Sequence, residues 1–554
     1  MTTDTLVRAP APVGQQPTRG GSFTGLWPLI RLILRRDRVR LPLWIVGITG
    51  FTVSSTASFA ETYPTAADRQ AIASTMELPA TVAMFGPNYA GVENYTYGAM
   101  ISHQMLVMTA VVVALMSVLL VVRHTRAEEE SGRAELIRAG VVGRHAPTAA
   151  ALLVVTGVTV VLALLIAAGL ASTGMETVEW GGSLVFGAAL AGVGLVFAGV
   201  AAVTVQVTEY ARGASGMAFA VLGGAYALRG AGDVGEGVLT WLSPIGWSQQ
   251  TRAYVDDRLW PLAISVAVAA MLVLLAFALS TRRDVGAGLR QPRPGPAEAS
   301  DAVAHPQGHA LRLQRASLIG WSVAALLLGV MYGSFIGGAE EMLSELEALQ
   351  DVLPDIAGAA VVESFASMIL TVLAMICSIQ AVLAVLRLRA EESSGRAEPV
   401  LATPLSRTRW AATHLVVAVV GGTLVLLVAG LSFGVTAAIT ADDAALVGRA
   451  AGAALAYAPA VWVTAGVAML LFGVLPRLVA AAWGVVGYSF LVVYLGGFLS
   501  FPDWMANLSP FGHVPQLPAA DLTVAPLVVL TGLAALLIAI GLIGFRRRDL
   551  ATPA

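Results

Sequence analysis

The sequence predicts an all-α polytopic membrane protein with twelve transmembrane helices arranged as two parallel six-helix repeats. Three observations carry that prediction. Of 554 residues, 57% are hydrophobic and only 12% charged, too apolar for a water-facing surface. Apolar runs of about 20 residues recur, the length a bilayer core demands. One charged phrase is also written twice: Arg126-Ala-Glu-Glu-Glu-Ser-Gly-Arg-Ala-Glu135 and Arg389-Ala-Glu-Glu-Ser-Ser-Gly-Arg-Ala-Glu398, with nine of ten positions identical at an offset of 263. In a chain dominated by Ala, Val, Leu and Gly, identities at Arg, Glu, Ser and Gly do not follow from composition.

The spans read as 41–59, 100–122, 147–171, 182–207, 213–229 and 260–280, then 317–337, 365–386, 411–439, 449–474, 478–500 and 524–545. Each copy of the phrase lies between the second and third spans of its half. Arginine placement orients the chain. With the N-terminus cytoplasmic, the even loops and both termini hold 28 Arg and the opposite side five, namely Arg69, Arg229, Arg252, Arg258 and Arg449. The positive-inside rule therefore predicts both termini in the cytoplasm. Acidic residues lean outward, among them Glu340, Glu341, Glu345, Glu347 and Asp351, as expected of an ordinary solvated helix.

The domain reading follows: a disordered N-terminal tail over 1–25, a first six-helix half over 26–283, a flexible linker over 284–310 and a second half over 311–549. No cleavable signal peptide is expected, because residues 1–25 are polar and the first apolar run begins near Leu41. Leu26 to Arg38 interleaves apolar residues with Arg, as in a helix lying on the inner leaflet. Its counterpart is Leu311-Arg-Leu-Gln-Arg315, aligned through Trp44 and Trp321. The linker is marked by Pro292, Pro294, Pro296 and Pro306.

Two further echoes complete the duplication. Leu242-Ser-Pro-Ile-Gly246 matches Leu508-Ser-Pro-Phe-Gly512, and Arg282-Arg-Asp284 matches Arg547-Arg-Asp549. With six spans per half both halves enter from the same side, so the repeat is parallel and predicts a pathway between the halves. The fifth span is the shortest. Gly230 to Tyr254 behind it, like Phe501 to Pro518, suits a re-entrant outer hairpin whose backbone must be covered by protein. In the long loop from Ala60 to Ala99, Tyr89, Tyr95 and Tyr97 read first as interface aromatics.

Several function classes are excluded or disfavoured. All 33 basic residues are Arg, and a P-loop needs a Lys to reach the nucleotide phosphates, so this chain holds no ordinary Walker A motif. Cys377 is the single cysteine and reads as a small core residue. The seven His give no metal-ligand spacing beyond His305 and His309 in the linker, which reads as coincidence. No Gly-x-Ser-x-Gly elbow and no paired intramembrane carboxylates occur. The polar groups within the spans are few: His103 and Gln104 near the outer end of the second, Gln206 in the fourth and Gln380 in the eighth. They are the candidate groups of a substrate pathway. Energy therefore has to enter elsewhere, and the repeated loop is the place for it. Read as a helix, it pairs Glu129 with Arg133 and Glu392 with Arg396 at i,i+4, with Gly132 and Gly395 marking a bend. Gly187, Gly192 and Gly199 read as close packing rather than a path.

The second copy, Glu391-Glu-Ser-Ser-Gly-Arg-Ala-Glu398-Pro-Val-Leu401-Ala-Thr403-Pro404-Leu405-Ser406-Arg407, resembles the loop after the second membrane helix of type-2 ABC exporter permeases. The twofold form looks like the fused permeases of actinobacterial polyketide-antibiotic exporters of the tetronasin type. That resemblance implies a coupling helix in each half, seated on a separately encoded ATPase present in two copies, which holds the ATP and magnesium while this chain carries no cofactor. The coupling residues it implies are Glu128, Glu129, Gly132, Arg133, Glu135 and Arg144, then Glu391, Glu392, Gly395, Arg396, Glu398 and Arg407. The first copy departs from the pattern, with Gly140-Val-Val-Gly143 where the second has Thr403-Pro-Leu-Ser406. Its expected cargo is a small hydrophobic or amphiphilic compound, its setting the bilayer of a bacterial plasma membrane, with no nucleic-acid partner. A proton-driven secondary carrier with two six-helix halves is the alternative, and a membrane enzyme or scaffold the remaining class.

Overall fold

The computed structural model describes residues 21–77, 79–235, 237–284, 286–290, 297–298, 300–334, 336, 358–494 and 503–550. Among these, all regular structure is helical. The predicted residues Glu340, Glu341, Glu345, Glu347 and Asp351, the tail 1–20 and the linker prolines Pro292, Pro294 and Pro296 lie outside the described residues. The chain divides into two compact units, residues 1–294 and 295–554.

In the first unit, helix α1 (Leu26–Arg36) precedes α2 (Arg40–Thr62). Two short helices follow, α3 (Ala66–Thr75) and α4 (Pro79–Phe85), then α5 (Tyr97–His124). Thr65 and Asp68 cap α3 reciprocally, a box that satisfies two orphan amides. The charged phrase forms α6 (Arg126–Glu130) and α7 (Arg133–Arg138). Then come α8 (Ala146–Ala171), α9 (Trp180–Val207), α10 (Ala211–Val234), α11 (Pro244–Gln249) and α12 (Trp260–Ser280). Helix α9 is the hub, packed by α5, α8, α10 and α12. Its glycines permit this: a Cβ on Gly187 would stand 2.5 Å from the Ala163 carbonyl oxygen, and one on Gly199 2.9 Å from Leu272 Cβ.

The second unit holds α13 (Asp301–Ala304), α14 (Pro306–Gly333), α15 (Gly358–Ser393), α16 (Ala397–Leu401) and α17 (Arg407–Thr440). After them come α18 (Ala445–Ala456), α19 (Ala458–Val474), α20 (Ala482–Ser489), α21 (Asp503–Ala506) and α22 (Val524–Arg547). The predicted tenth span breaks at Tyr457 because Pro459 has no N–H to give the carbonyl of Leu455. Gly473 and Gly541 let α19 and α22 cross in contact, a Cβ on Gly473 falling 1.9 Å from the Gly541 carbonyl oxygen.

Eleven helices among the described residues are long and apolar enough to cross a membrane. The peripheral helices α12, α14 and α22 leave most of that apolar surface exposed, whereas α5, α9, α15 and α19 are mainly buried. Apolar surface turned outward on this scale requires lipid around it. The difference from the predicted twelve is the fifth span. It forms the 24-residue α10 but falls short in apolarity, because Arg212, Arg229 and Asp233 lie within the helix and six of its residues are glycine. Arg229, placed by sequence at the outer edge of the fifth span, is fully buried.

Tyr95 and Tyr97 are buried within protein and are not interface aromatics. The Tyr97 hydroxyl donates to the Tyr63 carbonyl at 2.9 Å, while Tyr95 backs His103 beside the segment that ends α4, whose last carbonyls are each taken by a side chain. Arg229 donates to Ala83 and Met84 at 2.6 and 3.1 Å, Tyr226 to Met84 at 3.0 Å and Gln249 to Phe85 at 3.1 Å. His103 Nε2 lies 2.8 Å from the Gly86 oxygen. A positive side chain at a helix C-terminus also complements its dipole. Behind Gly230, the chain forms α11 with its backbone covered: Ile245 to Gln249 are buried. Both copies of Leu-Ser-Pro-x-Gly start a helical turn in the same way, Ser243 Oγ accepting from Ile245 N and Ser509 Oγ from Phe511 N, each at 3.2 Å.

Candidate coupling site

The two charged phrases end their long helices differently. In the first, the Thr125 hydroxyl donates back to the Val121 carbonyl at 2.6 Å and the chain breaks before α6. In the second, Leu388 has no hydroxyl to compete for the backbone, and α15 runs on to Ser393. Gly132 and Gly395 then take φ of +73° and +72°, the left-handed turn that glycine tolerates. The expected bend is present in both.

The expected i,i+4 pairs are not. Glu129 points away from Arg133 and is gripped by Arg283, Nη1 to Oε2 at 2.8 Å and Nη2 to Oε1 at 2.9 Å. Glu392 is gripped by Arg548 at 2.6 and 2.8 Å. Arg133 instead lies 3.9 Å from Glu128, and Arg396 donates to Glu391 at 2.8 and 3.3 Å. The reason is burial. A carboxylate facing the helix ends gains a two-pronged guanidinium there, whereas an exposed i,i+4 pair gains little.

Each grip is reinforced from the start of the third long helix of its half, by Arg144 just before α8 and by Arg407 at the first residue of α17. Arg144 Nη2 donates to the main-chain oxygens of Ser280 and Arg283 at 2.7 and 3.0 Å, and Arg407 Nη1 to that of Arg548 at 2.9 Å. One motif thus occurs twice: Glu129, Arg144 and Arg283, then Glu392, Arg407 and Arg548. It fastens α6 in the first half, and the last turn of α15 in the second, to the end of the last long helix. Arg283 and Arg548 carried a sequence signal, the repeated Arg-Arg-Asp, but nothing in the spacing tied it to the glutamates.

The first clamp is the more elaborate. Arg126 is fully buried, bonds Glu129 at 2.5 Å and donates to the carbonyls of Gly286 and Ala287 at 3.0 and 3.2 Å. Leu289 N and Arg290 N donate to the carbonyls of Gln206 and Val207 at 3.0 and 2.9 Å. Gln206 also accepts from Arg283 Nε at 2.7 Å, so this candidate pathway residue belongs to the clamp. In the second unit Arg389 makes a single 3.5 Å contact with Glu392.

Helix α1 joins the first clamp. Arg36 Nη1 reaches Glu128 at 2.5 Å, and the next residue, Asp37, is buried and holds Arg123 with two 3.1 Å bonds, with His124 Nε2 at 2.9 Å. Burial alone raises an aspartate's pKa. Here the hydrogen bonds from Arg123 and the positive charges of His124, Arg123 and Arg40 outweigh it, and the carboxyl titrates below its ordinary range. Residues 21–25, assigned by sequence to the tail, are docked too: Gly143 N donates to Thr24 O at 2.9 Å and Phe23 packs edge-on to Phe277. A cavity of about 80 Å³ remains between α1 and the loop, lined by Leu32, Ile33, Arg36, Glu128, Ile137 and Arg144 among others.

The implied coupling residues therefore sort into two groups. Glu129, Glu391 and Glu392 are committed inward. Gly132, Arg133, Glu135 and Leu136 stand outward in the first copy, with Leu136 78% and Val141 73% exposed. Arg396 and Glu398 do so in the second, along with Pro399, Thr403 and Pro404. Sequence reasoning missed Leu136 and Val141, which read as ordinary loop residues.

The remaining pathway candidates do not converge. His103 and Gln104 meet on the Tyr95 hydroxyl, His103 Nδ1 at 2.9 Å and Gln104 Nε2 at 3.3 Å, at the end of the first unit opposite the clamp. Gln380 lies buried in α15 against Gly421 and Gly422, its Oε1 without a hydrogen-bond partner among the described residues. Cys377 is buried and free. Among the described residues no three His, Cys, Asp or Glu gather as metal ligands.

Sequence comparison bears on this arrangement. The profile of the family described as multidrug efflux system permease Rv1217c, C-terminal domain, matches residues 28–279 and 303–546, one stretch in each half. The multidrug efflux system permease protein Rv1217c of Mycobacterium tuberculosis (strain ATCC 25618 / H37Rv) is 41% identical over 553 residues, 99% of both chains. The chain belongs to this multidrug efflux permease family. As a family member it is a multi-pass membrane permease, and the clamp, the exposed loop faces and the α4 cap are features of that permease. The narrower likeness to tetronasin-type exporters is not what these relatives carry.

Proposed function

We propose that the chain is the membrane-spanning subunit of an ATP-driven exporter of hydrophobic or amphiphilic compounds, drugs and antibiotics among them, energised by two copies of a separate ABC ATPase. The single observation that carries this reading is the duplicated clamp. A loop bonded on its inner side to the ends of three helices, and bearing exposed residues on its other side, is a lever with a handle. A push on Arg133, Glu135 and Leu136, or on Arg396 and Glu398, is carried through Glu129 and Arg283, or Glu392 and Arg548, into the last helix of the same half.

The chain's lack of Lys supports placing hydrolysis on another subunit. The arginine distribution supports cytoplasmic clamps and termini. The ionisable pair within α10, Arg229 with Asp233 at 3.1 Å, is spent on the α4 cap, which disfavours it as a proton relay. The relative's name extends to this chain as the proposal that its cargo is a range of drugs, with polyketides one class to include in a panel.

Affinity purification after coexpression with candidate ABC ATPases tests the reading. The expected result is a complex of two ATPases per permease whose hydrolysis rises with drug. A permease that exports drug while retaining no ATPase contradicts it.

A further inference from the structure

Helix α1 ends at Arg36 and α2 enters its span at Arg40, so α1 lies where a bilayer's headgroups begin. Its faces separate cleanly. Leu29 and Ile33 are buried and pack α1 on α8. Trp27 and Leu34, seven residues apart and so on one side of the helix, are 72% and 46% exposed. Arg31 and Arg35, both exposed, flank that edge. Tryptophan and leucine turned outward beside arginines whose stems can snorkel is the arrangement of a helix bedded at the acyl boundary.

Charge decides which lipid. From Arg31 to Arg40 the chain has five Arg and one acid, Asp37. Arg36 is spent on Glu128 and Asp37 on Arg123, while Arg31, Arg35 and Arg38 have no ion pair among the described residues. We propose that this edge of α1 is a docking surface for anionic phospholipid, with the headgroup on Arg31, Arg35 and Arg38 and the acyl chains along Trp27 and Leu34. Unneutralised Arg at a bilayer surface favours anionic over zwitterionic headgroups, and three of them act together. The surface is continuous with the coupling site through the bond from Arg36 to Glu128.

The test uses the full-length protein in phosphatidylcholine nanodiscs carrying brominated phosphatidylcholine or brominated phosphatidylglycerol as quencher. Subtracting W27F emission from that of the unsubstituted protein isolates Trp27 from the other tryptophans. The expected result is that brominated phosphatidylglycerol quenches Trp27 at least about threefold more strongly. R31Q/R35Q/R38Q abolishes the preference, R35Q alone weakens it, and R282Q leaves it intact. Equal quenching by the two lipids overturns the proposal, as does a preference that survives the triple substitution. Quenching by neither lipid also overturns it, since the edge is then covered by protein.

Discussion

Arg548 holds Glu392 with both terminal nitrogens, at 2.6 and 2.8 Å, across 156 residues of chain. Arg283 holds Glu129 in the same way across 154. The glutamate comes from α6 in the first half and from the last turn of α15 in the second, and in each half the arginine comes from the first residues beyond the last long helix. Each joint therefore closes its half at one end.

Breaking a joint from one side strands a buried charge. E392A leaves Arg548 unpaired where Glu392's side chain was 1% exposed, and should cost about 3 kcal/mol or more. The measurement is thermal unfolding in detergent: E392A and R548A each lower the midpoint, and the exchanged pair E392R/R548E recovers part of the loss. Equal stability of E392A and the unsubstituted protein would falsify the joint.

The two joints differ in their inner arginine. R126A removes a fully buried guanidinium that also holds the carbonyls of Gly286 and Ala287, a loss of about 2 kcal/mol or more. R389A removes one 3.5 Å contact by a part-exposed side chain and should cost under about 1 kcal/mol. Limited trypsin digestion reads the difference directly. Cleavage after Arg290 accelerates in R126A, and R389A does not change it.

The outward face of the loops carries a separate expectation. E135R combined with E398R breaks none of the side-chain bonds described above and leaves Arg396 on Glu391, so the protein inserts and unfolds as before. Drug efflux should nevertheless fall by roughly tenfold, as when central anchors of an interface are lost. Full efflux with normal expression would place the docking surface elsewhere.

Asp37 gives a pH dependence with a definite sign. Its folded pKa lies below the unfolded value, so its contribution is fully present above the ordinary aspartate range and is lost as pH falls through the folded value, from about pH 5 downward. The unfolding midpoint should drop more steeply with acid in the unsubstituted protein than in D37N. Parallel acid limbs for the two proteins would remove Asp37 from the account.

Much of the fold was legible because the bilayer imposes one rule, length and apolarity, that composition reports directly. The fifth span escaped that rule. Arg229 reads as a charge at the outer edge of that span until Ala83 and Met84 supply the carbonyls that justify burying it, and those lie far away in sequence. The coupling loops were visible through duplication, and the glycine bends through glycine itself. The glutamates' partners were not visible, because an i,i+4 pattern looks local and the competing arginines enter only when the last long helix packs against the fourth span of its half. Leu136 and Val141 gave no periodic signal, since residues on a short loop have no face to repeat on. Arg283 and Arg548 show what a repeat can add: two matching tripeptides after two matching helices already marked a shared constraint.

We propose that an external ATPase drives the paired loops. Drug uptake into everted membrane vesicles, with ATP maintained and the proton gradient collapsed by a protonophore, tests it most directly. Uptake that continues undiminished and stops when ATP is withdrawn is the predicted result. Uptake that stops with the gradient while ATP remains would contradict it, and would make the chain a proton-driven carrier.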